Sequence, residues 1–218
     1  MAFEPADYDF LSNFSTVGAI VLGSVLATLG GLAATQIERH FERQQRERHA
    51  ALFFGEVLST LAVILVIAKR VKGIGDPYGP ITMRMLRQAQ REIGMYDRNR
   101  ENLYAIRNAR LRARIHTQIL RVSMPLDGVF DTTEEIAASQ ALLRTSPKPE
   151  DRAEITARIE RLTTMRESGF EAIEEGLEQI EELIKELEPF ASHSFADIRA
   201  AAENAPRPAP DAGAFRAS

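Results

Sequence analysis

Apolar positions along this chain follow two different patterns. From Phe14 to Thr35 they run as FSTVGAIVLGSVLATLGGLAAT, without one charged residue. From Glu150 to Glu188 they recur mostly every third or fourth residue, as Ile155, Ile159, Leu162, Phe170, Ile173, Leu177, Ile180, Ile184 and Leu187. The first run has no polar stripe, which predicts a helix surrounded by apolar material on every side. The second predicts an amphipathic helix, with the heptad rhythm of a coiled coil from Ile173 onward.

The uncharged run holds 22 residues. At a helical rise of about 1.5 Å per residue it reaches roughly 33 Å, close to the ~30 Å hydrocarbon thickness of a bilayer. It therefore predicts a single transmembrane helix over 14–35. A secretory signal would begin with a basic segment. Here the preceding residues include Glu4, Asp7 and Asp9 and no Lys or Arg. The first bases after the run are Arg39, Arg43, Arg46 and Arg48. Bases collect on the cytoplasmic side of a span, which predicts the N-terminus outside and the rest of the chain in the cytoplasm, at the inner membrane of a cell.

A second apolar stretch, Ala50–Ala68, is interrupted by Glu56, Ser59 and Thr60. An acidic residue near the bilayer centre costs about 2.5 to 3.5 kcal/mol. The stretch is expected to be a buried helix of a soluble domain. The alternative is a second span, which would make the chain a small channel or transporter component with Glu56 on its pathway.

Breakers divide the remainder. Gln36 to Arg48 alternates acid and base with no Pro or Gly, so the membrane helix is expected to continue into the bundle and on to about Val71, before the cluster Gly73–Pro80. Pro80 suits the first turn of the next helix, which is expected to end near Ile93. A break at Gly94–Asp97, with Asp97 as N-cap, would precede a basic helix from Arg98 to Val122. Pro125 and Asp127-Gly128 interrupt the pattern, and Thr132 with Glu135 reads as a capping box that opens another helix to about Arg144, unless the chain runs through Pro125 as one kinked long helix. Ser146–Pro149 is a turn, and Pro189 closes the acidic helix. The predicted fold is all-α: an acidic segment at 1–13, the membrane helix at 14–35, an antiparallel bundle of three or four long helices at 36–190, and a mostly disordered Ala/Pro-rich tail at 191–218.

Charge sharpens this picture. Residues 69–121 hold thirteen bases against four acids, and residues 150–188 hold thirteen acids against five bases. Antiparallel packing would set the two side by side, with opposite charge selecting the pairing and apolar burial supplying the stability. Two surfaces are candidates for recognition. Ala19, Gly23, Ala27 and Gly31 place small residues at every fourth position, a face on which two membrane helices could self-associate. Arg98, Arg100, Arg107, Arg110 and Arg114 form a candidate patch for an anionic partner.

Candidate chemistry adds little. The chain has no cysteine, so neither disulfides nor thiolate sites arise. His40, His49, His116 and His193 have no metal-binding spacing, and phosphate-loop and GxSxG motifs are absent. No cofactor is expected, nor is nucleic acid a partner. Of the 27 basic residues only Lys69, Lys72, Lys148 and Lys185 are lysines, a bias that suggests a GC-rich bacterial source. The expectation is a non-enzymatic, membrane-anchored interaction or scaffold protein. Its partners would be the bilayer, a cytoplasmic protein and further copies of itself; a membrane signalling module is the other alternative.

Overall fold

The structure, a computed structural model, describes residues 6–145, 148–196 and 200, with side chains from Gly18 onward apart from Ile20. The described residues are helical apart from short connections, with no strand among them. Four α-helices follow in order: α1 (Ala6–Lys72), α2 (Pro80–Arg98), α3 (Ala109–Thr145) and α4 (Pro149–Ala191). A 3-10 turn, Arg100–Ala105, lies between α2 and α3. The chain divides into two compact units, 1–46 and 47–218. Residues 1–5 of the predicted acidic segment 1–13, residues 146–147 of the predicted turn, and residues 197–199 and 201–218 of the predicted tail 191–218 lie outside the described residues.

In the first unit, every described side chain from Val21 to Arg46 is exposed. Leu22, Leu26, Leu29 and Leu32 are all more than half exposed. Apolar side chains thus point outward around the whole helix and meet no other part of this unit.

The second unit is a helical core. Gln90 Nε2 donates to Asp127 Oδ1 at 2.9 Å, and Tyr96 Oη lies 3.0 Å from His116 Nδ1, so α2 and α3 run antiparallel. Gln118 Nε2 donates to the Gly176 carbonyl at 2.6 Å, and Val129 packs at Gly169, so α3 and α4 are antiparallel too. The part of α1 in this unit pairs with α4 in the same sense. Arg48 Nε donates to the Ala191 carbonyl at 3.2 Å, and Lys72 Nζ reaches Glu167 at 2.7 Å. Phe54, Leu58, Leu61 and Leu65 of α1 join Leu86, Ile93 and Tyr96 of α2 in one buried cluster. Ile115, Val122 and Leu126 of α3, with Phe170, Ile180 and Ile184 of α4, complete it. Past Val129 and Gly169, α3 and α4 continue as a pair, burying Ile136 and Leu162.

The link from α1 to α2 obeys local rules. Gly75 takes φ +86°, a left-handed conformation that glycine adopts without a Cβ penalty. Asp76 Oδ1 accepts from the Tyr78 amide at 3.1 Å, and Pro80 opens α2.

Two expected helix ends are not where the sequence suggested, and of the two readings open at Pro125 the continuous helix holds. No break occurs at Gly94–Asp97, because Ile93 and Tyr96 continue the buried face of α2. The interruption falls at Asn99–Asn108, and Asn108 Oδ1 caps α3 by accepting from the Leu111 amide at 3.1 Å. Pro125 lies inside an unbroken α3, since Val122, Leu126 and Val129 stay buried on both sides of it. A mid-helix proline costs about 3 kcal/mol, and that packing offsets it. Thr132 accordingly caps nothing: its hydroxyl donates back to the Gly128 carbonyl at 2.7 Å. Pro189 is also internal to α4, which ends at Ser192 with φ 51°. Residues 191–195 stay on the second unit. Phe195 is fully buried against Gly55, and Glu188 accepts from its amide at 3.0 Å.

Close approach of α3 and α4 depends on two glycines a heptad apart. A Cβ on Gly176 would stand 2.9 Å from Val122 Cγ2, and one on Gly169 would stand 3.1 Å from Val129 Cγ2. Gly128 has open space around it. Gly176→Ala should therefore destabilise the protein by about 1 to 3 kcal/mol. Gly128→Ala should stabilise it by about 0.5 to 1 kcal/mol through helix propensity. Urea titrations of the two variants measure both, and equal effects would remove the close-packing explanation.

Candidate interaction surfaces

The two apolar stretches have opposite environments. The most apolar 18-residue window of α1 has mean hydropathy 2.4 and is 61% buried. Because residues 21–46 are exposed throughout, that window belongs to the second stretch, at 50–68. Phe54, Leu58, Leu61, Leu65 and Ala68 face the core, and Glu56 is exposed. The stretch is the α1 contribution to a protein interior, with its carboxylate in solvent. α1 is the one described helix long and apolar enough to cross a membrane.

Within 18–35 the polar side chains are satisfied by their own helix. Ser24 donates to the Val21 carbonyl at 2.9 Å, Thr28 to Ser24 at 2.8 Å, and Thr35 to Gly31 at 2.9 Å. Such back-bonding removes the cost of a hydroxyl in an apolar medium. Ala19, Gly23, Ala27 and Gly31 are exposed, and no atom lies within 4 Å of a Cβ built on Gly23 or Gly31.

Opposite charges meet across the second unit. Lys69 Nζ lies 2.8 Å from Glu174 and Lys72 Nζ 2.7 Å from Glu167. Arg114 pairs with Glu186 and stands 3.9 Å from Glu182, while Arg121 donates to Gln179. These contacts join the basic 69–121 region to the acidic α4. Exposed pairs of this kind contribute about 0 to 1 kcal/mol each, so they select the register more than they stabilise it.

The best-packed of these contacts surrounds Tyr78. Lys72 Nζ stands 4.1 Å from the centre of the Phe170 ring, and the Arg166 guanidinium lies 3.8 Å from that of Tyr78. Burial raises the Tyr78 pKa well above its ordinary value, and a hydrogen bond with Glu167 adds to this. Burial also pushes the Glu167 carboxyl upward, but hydrogen bonds from Lys72 and Tyr78 and the charges of Lys72 and Arg166 outweigh it, leaving its pKa lowered. The group closes one end of the core, where α1, the α1–α2 link and α4 meet.

The five arginines singled out from sequence do not form one patch. Arg98 lies on the outer face of α2, with its guanidinium on the Met95 sulfur. Arg100 sits on the 3-10 turn. Arg107 is tied to Glu47: its backbone amide donates at 2.7 Å and its Nε lies at 3.5 Å. Arg110 and Arg114 line an open groove of about 340 Å³ between α3 and α4, with Gln118, Arg121 and Glu182. A different basic surface emerges: Arg84, Arg87, Arg91 and Arg98 share the face of α2 opposite its buried residues. Among the described residues none of the four makes an ion pair. Its signal in the sequence was the spacing of these arginines against Thr82, Leu86, Ala89 and Ile93.

Among the described residues no three His, Asp or Glu side chains converge as metal ligands would. Of the histidines, His116 stacks on Tyr96, and His193 meets the Phe195 ring edge-on at 5.5 Å. Comparison with protein-family models, curated proteins and solved structures gives no match.

Proposed function

We propose that this chain is a non-enzymatic, membrane-anchored interaction protein of the inner membrane. Its N-terminal helix, 14–35, crosses the bilayer with the N-terminus outside. The antiparallel helices of 47–191 stand in the cytoplasm and present charged faces to protein partners. One observation carries the reading: of two apolar stretches on α1, the chain covers 50–68 with its own helices and leaves 21–35 bare on every side. A helix that is apolar all round and uncovered belongs in lipid, where backbone and hydroxyl groups must be satisfied within the helix. The back-bonded Ser24, Thr28 and Thr35 meet that demand. The orientation follows from Arg39, Arg43, Arg46 and Arg48 just after the span. The face of Ala19, Gly23, Ala27 and Gly31 is the place where anchors of neighbouring copies would touch.

The test uses the full chain in native membrane. It should resist alkaline extraction. A cysteine at Ala2 should react with an impermeant maleimide from outside, and one at Lys148 only after permeabilisation. Release by alkali would refute the anchor. Reaction of the Lys148 position in intact cells would reverse the orientation and favour a second span at 50–68.

A further inference from the structure

The second unit carries opposite charge on two opposite corners. α1 and α3 each pack against both α2 and α4, which sets α2 diagonally across from α4. The outward face of α2 carries Arg87, Arg91 and Arg98. The outward face of α4 carries Glu171, Glu175 and Glu182, with Glu178 between them; Glu182, at the edge beside Arg114, is still 72% exposed. Arg87, Arg91 and Arg98 are separated by four and seven residues; so are Glu171, Glu175 and Glu182.

The two strips also stand at matching heights. Gln90 bonds Asp127, which lies between the α3 residues facing Gly169 and Gly176. Tyr96 bonds His116, which lies beside Arg114, the partner of Glu182 and Glu186. Arg87 through Arg98 therefore spans, to within about a helical turn, the level of Glu171 through Glu182. Because α2 and α4 both run antiparallel to α3, they run parallel to each other. A copy displaced sideways, without rotation or axial shift, brings its acidic strip against the basic strip of its neighbour with each charge opposite its complement.

We infer that copies of this chain associate side by side, head to tail, with the α2 face of Arg87, Arg91 and Arg98 of one copy on the α4 face of Glu171, Glu175 and Glu182 of the next. Charge selects this arrangement over a symmetric dimer, because α2 on α2 sets Arg against Arg and α4 on α4 sets Glu against Glu. A translational, heterologous contact does not close, so it builds rows rather than rings. The matching of heights draws on the anchored reading above, since copies in one bilayer stand level and face the same way. Exposed ion pairs are individually weak and screened by salt. Confinement in a membrane raises the effective concentration enough for several of them to act together.

The chain has no cysteine, so introduced ones report alone. Full-length protein carrying Arg87→Cys and Glu171→Cys, reconstituted in phosphatidylcholine vesicles, is treated with a short bismaleimide. A ladder of dimers, trimers and larger species is expected. Either single-cysteine chain should stay monomeric. The offset pair Arg84→Cys with Glu178→Cys should lose the trimers and beyond. Salt at 1 M, where the screening length is about 3 Å, should strip the ladder. Adding Arg91→Glu should abolish it, and adding Glu175→Arg to that variant should restore it. Circular dichroism checks that helicity is unchanged in each.

Absence of any ladder overturns the proposal, as does a dimer from Arg87→Cys alone, which would mean a symmetric contact. A ladder indifferent to Arg91→Glu overturns it too, and a stronger ladder from the offset pair overturns the level register. Flotation of the same vesicles separates this outcome from the anchor. Protein that floats without a ladder is anchored and lacks the interface. Protein that does not float refutes the anchor, and crosslinking at high concentration in detergent then decides the interface alone.

Discussion

Removing residues 1–46 is expected to move the protein from the membrane pellet to the aqueous fraction. The remaining chain keeps Ala50–Ala68, the more apolar of the two stretches, yet should stay monodisperse without detergent. The reason is burial. Phe54, Leu58, Leu61 and Leu65 are at most 3% exposed, while Leu22, Leu26, Leu29 and Leu32 are each at least 57% exposed. Fully covering one leucine is worth about 1.5 to 3 kcal/mol, so on the anchored reading the bare leucines and valines of 21–35 together favour lipid over water. The truncated chain has no such face. Fractionation of cells expressing both chains, followed by size-exclusion chromatography of the truncated one, measures the change. Truncated protein that remains with the membrane would identify 50–68 as a second span and revive the channel alternative.

Phe54→Ala is expected to destabilise the truncated protein by about 3 to 5 kcal/mol. The Phe54 ring is fully buried, 5.2 Å from the Phe53 ring and 5.8 Å from that of Tyr96. Next to it, Gly55 leaves room for the fully buried Phe195 ring. Glu56→Ala, two residues on, should change stability by no more than about 0.5 kcal/mol, because that side chain is exposed. The pair discriminates sharply between a protein core and a bilayer. In a membrane span, truncating Phe54 would remove only a lipid contact, and neutralising Glu56 would be strongly favourable. Urea unfolding of the three proteins gives the answer, and a larger effect at Glu56 than at Phe54 would reject the core assignment.

Elements with strong local grammar were legible from the residues. The Gly73–Pro80 link was one, because glycine and proline restrict the backbone wherever they stand. The acidic helix was another: Ile173, Leu177, Ile180, Ile184 and Leu187 are all buried, as their rhythm predicts. The charge asymmetry between 69–121 and α4 also found its physical expression, in Lys69–Glu174, Lys72–Glu167 and the contacts of Arg114. The breaks were misplaced because tertiary packing decides them. Pro125 and Gly94 lower local helix propensity, yet the buried residues on either side hold the helix across both. Asn108, a strong cap, gives a weaker local signal than the more conspicuous Gly94–Asp97. The arginine patch dissolved because nearness in sequence is not nearness on a surface: Arg98, Arg107 and Arg114 lie on three different elements.

By itself the sequence determined that the protein is helical, that it carries two long apolar stretches, and that opposite charges are segregated along it. These properties follow from local propensity and from periodicity, which act over a few turns. Only the tertiary structure decided which apolar stretch is covered and which is bare, and which charges are spent on internal pairs and which face outward. Covering a helix requires neighbours distant in the chain, here α2, α3 and α4 around 50–68, and their arrangement is set by contacts such as Val122 at Gly176 that no local pattern specifies.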